Sequence, residues 1–91
     1  MGTKEKIQEK KNLLEKQVDQ HEIILHNDDV NTFDFVIDAL IDVCEHDLIQ
    51  AEQCTILVHY KGKASVKSGG YDDLKPRCSK LLDLGLSAEI V

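Results

Sequence analysis

From Phe33 onward the apolar residues fall at Phe33, Val36, Ile37, Leu40, Ile41 and Cys44, the i, i+3, i+4, i+7, i+8, i+11 series of one helical face. Asp34, Asp38, Asp42 and Glu45 lie on the other side, and Asn31 or Thr32 stands where a side-chain oxygen can cap the first turn. Just upstream the period changes. His21-Glu22-Ile23-Ile24-Leu25-His26 is a β-branched run halted by Asn27-Asp28-Asp29, residues that favour turns, and it predicts a first strand. Beyond the first helix, Asp47 is placed to cap a second, running through Leu48, Ala51, Thr55, Ile56 and Val58 to Tyr60, with Gly62 as a left-handed stop.

Lys63 to Lys67 alternates Ala64 and Val66 with polar residues, as a half-exposed strand does, and Ser68-Gly69-Gly70 reads as a turn. Proline removes a backbone donor and clashes inside a helix. The sequence therefore predicts a turn over Tyr71 to Leu74 and a third helix starting near Pro76 at its first position. Cys78, Leu81 and Leu82 would face inward, Gly85 would close the helix, and Ser87 to Val91 would form a last strand. The expected order is β-α-α-β-α-β: an α+β fold with a three-stranded antiparallel sheet and three helices on one face.

Residues 1 to 20 lack this patterning. Lysine and glutamate dominate, and only Ile7, Leu13, Leu14 and Val18 could pack, which is too little to order a tail. The segment is expected to be a flexible extension to a single domain over 21–91. A chain of 91 residues, 42% hydrophobic and 31% charged, has room for one small core.

Charge narrows the function classes. Seventeen acids against eleven bases give a net charge of −6, so no basic stripe is left for a phosphate backbone and no nucleic acid is expected. The longest apolar runs are three residues, as in Ile56-Leu57-Val58, which is too short to cross a membrane, and the expected setting is cytoplasmic. Cys44, Cys54 and Cys78 are an odd number without a C-x-x-C pair, so buried free thiols are expected in place of a disulfide framework or zinc ribbon. His21, His26, His46 and His59 show no metal-ligand spacing, and neither a nucleophile signature nor a phosphate loop is present. No catalysis, metal or cofactor is expected.

Asn27-Asp28-Asp29 concentrates two carboxylates and an amide between strand and helix, an arrangement suited to a cation or to a polar turn and helix cap. The string Leu25-His26-Asn27-Asp28-Asp29, then Phe33-Asp34-Phe35-Val36-Ile37-Asp38, then Val58-His59-Tyr60-Lys61-Gly62-Lys63-Ala64, resembles ClpS, the N-end-rule adaptor family of bacterial Clp proteases. The resemblance covers about residues 22 to 91.

It implies a monomeric adaptor, itself no enzyme, that holds the first residue of a degradation substrate and delivers it to the N-terminal domain of a Clp ATPase of the AAA+ class. In that role Asn27, Asp28 and His59 would receive the free α-amino group of the substrate. Leu25, Asn31, Phe33, Val36, Thr55, Val58 and Leu86 would wall an apolar pocket for a first side chain such as Leu, Phe, Tyr or Trp. Asp72, Lys75 and Arg77 would dock the ATPase. The chain departs from the family's usual Thr-Pro-Met with Asn31-Thr32-Phe33, and has Thr55 where a methionine is common. A fold-level alternative is a protein-interaction domain like the C-terminal domain of the ribosomal stalk protein, which lacks the N-D-D and V-H-Y pair.

Overall fold

The computed structural model describes residues 19–91. Six elements follow in the expected order: β1 (His21–His26), α1 (Phe33–Cys44), α2 (Leu48–Lys61), β2 (Lys63–Gly69), α3 (Tyr71–Asp83) and β3 (Ser87–Ile90). β1 is central, with β2 and β3 antiparallel on either side. Its alternate residues Ile23 and Leu25 are fully buried against the helices. Leu40 and Cys44 of α1, Ala51 and Val58 of α2, and Leu74 and Leu81 of α3 complete the core with Val66 and Leu86. The caps follow sequence: Thr32 Oγ1 accepts from the Phe35 amide at 3.1 Å, Asp47 Oδ1 from the Gln50 amide at 2.7 Å, and Gly62 ends α2 at φ 86°.

The third helix begins earlier than expected. Tyr71 to Leu74 is its first turn, and Pro76 lies inside it. Leu74, Cys78 and Leu81 form a buried i, i+4, i+7 row that straddles the proline, and burying Leu74 offsets the backbone bond that Pro76 cannot make. Gly70 precedes this helix and has no side chain to cap it. Asp19 does so from a distance, its Oδ2 accepting from the Tyr71 amide at 3.0 Å. Asp19 and Gln20 are the only part of the expected extension within the described residues; the remainder lies outside them.

Ser68 and Gly69, expected in a turn, extend β2 by pairing with Glu22 and His21. Ile23 pairs with Lys67 and Ile24 with Ser65, so Val66 is skipped as a bulge. Its carbonyl accepts instead from the buried His46 Nε2–H at 2.6 Å, tying the α1–α2 connection to the sheet. Several expected inner positions are exposed: Phe33 at 43%, Leu48, Ile56 and Leu82. Each helix is covered on one side only, and Ala39 and Val43 take the α1 places that a face centred on Phe33 would have filled. All three cysteines are free, Cys44 and Cys78 buried and Cys54 half-buried. Burial pushes the Cys44 thiol up to about 11.

Candidate functional site

The site forms at the end of the sheet where β1 leaves the ladder and β2 enters it. The Asn27 amide donates to the Gly62 carbonyl at 2.8 Å, one residue beyond the His26–Lys63 pair. Because Gly62 turns the chain left-handed out of α2, this bond sets the last helical turn, with Val58 and His59, against the start of the Asn27 segment.

Asp28 then folds onto its own loop. Its Oδ1 accepts from the amides of Val30 at 2.9 Å and Asn31 at 2.8 Å, and its Oδ2 from the Asn31 side-chain amide at 2.9 Å. These donors, the Asn31 backbone N–H foremost, hold the Asp28 carboxyl below its ordinary value. The other Asn31 amide hydrogen goes to the Gly85 carbonyl at 3.0 Å.

The result is a pocket of about 280 Å³ that gathers all ten residues expected to bind substrate. Leu25, Thr55, Val58 and Leu86 contribute from buried positions. Thr55 donates its hydroxyl to the Ala51 carbonyl at 2.7 Å, which leaves its methyl group as the apolar part of the wall. Val36 and Asn31 are half-buried, and Phe33 stands at the opening with its ring edge-on to His59 at 5.1 Å. Asn27, Asp28 and His59 complete the expected set.

Three further residues line the pocket: His26, Asp29 and Thr32. Asp29 matters most. Among the described residues, the side chains of Asn27, Asp29 and His59 have no hydrogen-bond or ion-pair partner, whereas Asp28 has three. The signal for this was in the sequence. An aspartate three residues before Asn31 in a turn bonds local amides, leaving the next carboxylate open.

Asp72, Lys75 and Arg77 lie on α3 and not in the pocket. Asp72 and Lys75 are exposed. Arg77 is engaged internally: Nη1 donates to the Val43 carbonyl at 2.7 Å, and Nη2 and Nε donate to Asp73 Oδ1 at 3.2 and 3.3 Å. Among the described residues no cluster of three potential ligands could hold a metal ion, and no helix is long and apolar enough to cross a membrane.

The family model for "ATP-dependent Clp protease adaptor protein ClpS" matches residues 16–89. An ATP-dependent Clp protease adapter protein ClpS from Serratia proteamaculans is 41% identical over 56 residues, covering 55% of this chain and 53% of the relative. Its counterpart from Erwinia tasmaniensis is 41% identical over 49 residues, covering 54% and 46%. The chain thus spans about half the length of the curated relatives it matches. Among solved structures, Agrobacterium tumefaciens ClpS2 bound to L-phenylalaninamide shares the fold, with a TM-score of 0.76 at 22% identity over 80% of this chain and 95% of that one.

Proposed function

The chain belongs to the ClpS family of Clp protease adaptors, which are not themselves catalysts, and from that premise we propose that its pocket binds the free α-amino group and bulky hydrophobic first side chain of a degradation substrate. Membership sets the stalk-like alternative aside. The observation that carries the reading is the uncommitted trio Asn27, Asp29 and His59 beside an apolar-walled pocket.

An α-ammonium brings one charge and three donors, and burying it without acceptors costs several kcal/mol, on the order of the penalty for other unpaired ions. The Asn27 carbonyl oxygen and a neutral His59 nitrogen each accept one hydrogen, and a carboxylate supplies the third acceptor with the opposing charge. Asp28 was the expected carboxylate. With three acceptor directions already filled it shapes the turn and adds negative field, and Asp29 meets the cation. The volume lies just under the roughly 300 Å³ at which pockets for drug-sized ligands begin, which suits one side chain of the Leu, Phe, Tyr or Trp class.

Delivery to the N-terminal domain of a cytoplasmic Clp AAA+ ATPase, by a monomeric adaptor, completes the proposal. Asp72 and Lys75 remain candidates for docking that ATPase. Arg77 does so only by holding α3 in place. The described lining of the pocket runs from Leu25 to Leu86, and deleting residues 1–18 is expected to spare peptide affinity and impair delivery; equal loss of both would overturn that division.

The deciding experiment titrates a fluorescent peptide with free N-terminal Leu beside its acetylated twin. Acetylation removes the charge and two donors, at about 1.5–3 kcal/mol per charge-assisted bond, so affinity should fall about a hundredfold or more. Binding of the two within threefold of each other would end the adaptor reading.

A further inference from the structure

We propose that Asn31 is a clasp that sets the width of the pocket and thereby its preference among first side chains; the proposal rests on the reading of the pocket given above. An asparagine amide has two hydrogens, and both are used: one on Asp28 Oδ2 at 2.9 Å, the other on the Gly85 carbonyl at 3.0 Å. Two oxygens facing the same nitrogen fix which end of the amide points where. The Asn31 backbone N–H also holds Asp28 Oδ1 at 2.8 Å, so main chain and side chain grip the same carboxylate.

The two anchors are far apart in sequence. Asp28 belongs to the loop that carries Asn27 and Asp29, while Gly85 belongs to the α3–β3 connection that carries Leu86. Gly85 sits at φ 89° with nothing within 4 Å of where a Cβ would stand, so no side chain of its own restrains it. On its other flank the connection is tied to α3, by Gly85 N–H to Leu82 and Leu86 N–H to Leu81. Asn31 is its side-chain tie to the amine-binding loop. The ladder pair His26–Ser87 fixes the near end of the gap between that loop and the Leu86 wall, and the Asn31 amide group alone closes its far end, so a first side chain must fit within it.

Asn31→Asp tests this without changing volume, because it turns the shared donor into a third oxygen facing two others. Asn31→Ala removes the bonds without repulsion. Amide hydrogen exchange at Gly85 and Leu86 should accelerate about tenfold or more in Asn31→Asp, with Leu25 and Leu40 still protected as evidence that the core survives. Peptides starting with Leu and with Trp should then shift in favour of the larger ring, the Leu-to-Trp affinity ratio falling about threefold or more in both variants.

Unchanged exchange in Asn31→Asp would overturn the clasp. Faster exchange with an unchanged ratio would leave a tie with no bearing on selectivity and overturn the proposal. A wild-type protein indifferent to acetylation would defeat the underlying reading of the pocket, while the exchange rates would still decide whether the clasp exists.

Discussion

Arg77 and the Asp28–Asn31 pair both tie distant elements together with polar side chains, but they leave different remainders. Arg77 satisfies the Val43 carbonyl at the end of α1, pairs with Asp73 one turn back on α3, and lies 3.7 Å from Glu45. Its donors are used where they stand. At the opposite end of α1, Asp28 and Asn31 close their own loop and reach Gly85, and among the described residues Asn27, Asp29 and His59 are left unpaired beside a cavity. Polar groups that satisfy one another hold a fold. Those kept from doing so by neighbours already satisfied are free to meet a ligand.

Substitutions in the two networks should separate these roles. The largest effect is expected for Asp29→Asn, which keeps shape and removes charge: affinity for a free-amine Leu peptide should fall about ten- to a hundredfold with the melting temperature unchanged. His59→Ala should behave similarly. A normal affinity in Asp29→Asn would return the charge role to Asp28. Arg77→Ala should do the reverse, orphaning the Val43 carbonyl and costing about 1–3 kcal/mol of stability by denaturant titration, with peptide affinity intact.

A smaller effect belongs to Phe33, whose rigid ring stands where the family's flexible methionine is expected. Peptides starting with Ile should bind more weakly than those starting with Leu, and Phe33→Ala should narrow that Leu-to-Ile ratio about threefold. An identical ratio would place the ring outside the path of the first side chain.

The smallest is a pH effect. The Asp28 carboxyl titrates below 3.8 in the folded chain, so its hydrogen bonds stabilise the protein at pH above that value and the contribution disappears as pH falls through the folded value. Denaturant curves for wild type and Asp28→Asn should therefore run parallel above about pH 5 and converge in strong acid. Because Asp28 is only partly buried, the gap is small.

What the sequence made legible followed local physics. Period and caps placed β1, α1 and α2 to within a residue, since Thr32, Asp47 and Gly62 bond backbone groups no more than four positions away. The start of α3 was hidden because its cap comes from Asp19 and its first buried side chain is Leu74, neither of which a rule about Pro76 can register. At the site the residue types pointed to a cation or a helix cap, the family resemblance named ten residues, and all ten meet in one pocket. The division of labour between Asp28 and Asp29 was less visible, because it depends on which carboxylate the turn consumes.

One bond described above, from the Asn27 amide to the Gly62 carbonyl, bears on how such a pocket can change over generations. It continues the β1–β2 ladder past the last strand pair, so Asn27 and His59 are registered by main chain whose one special demand is the left-handed glycine at Gly62. The walls are placed otherwise, by the side chains of Asn31, Phe33 and Thr55, each a single codon from a different answer. If the pocket works as proposed, descendants of this chain can exchange the menu of first residues while inheriting the amine-binding frame unaltered.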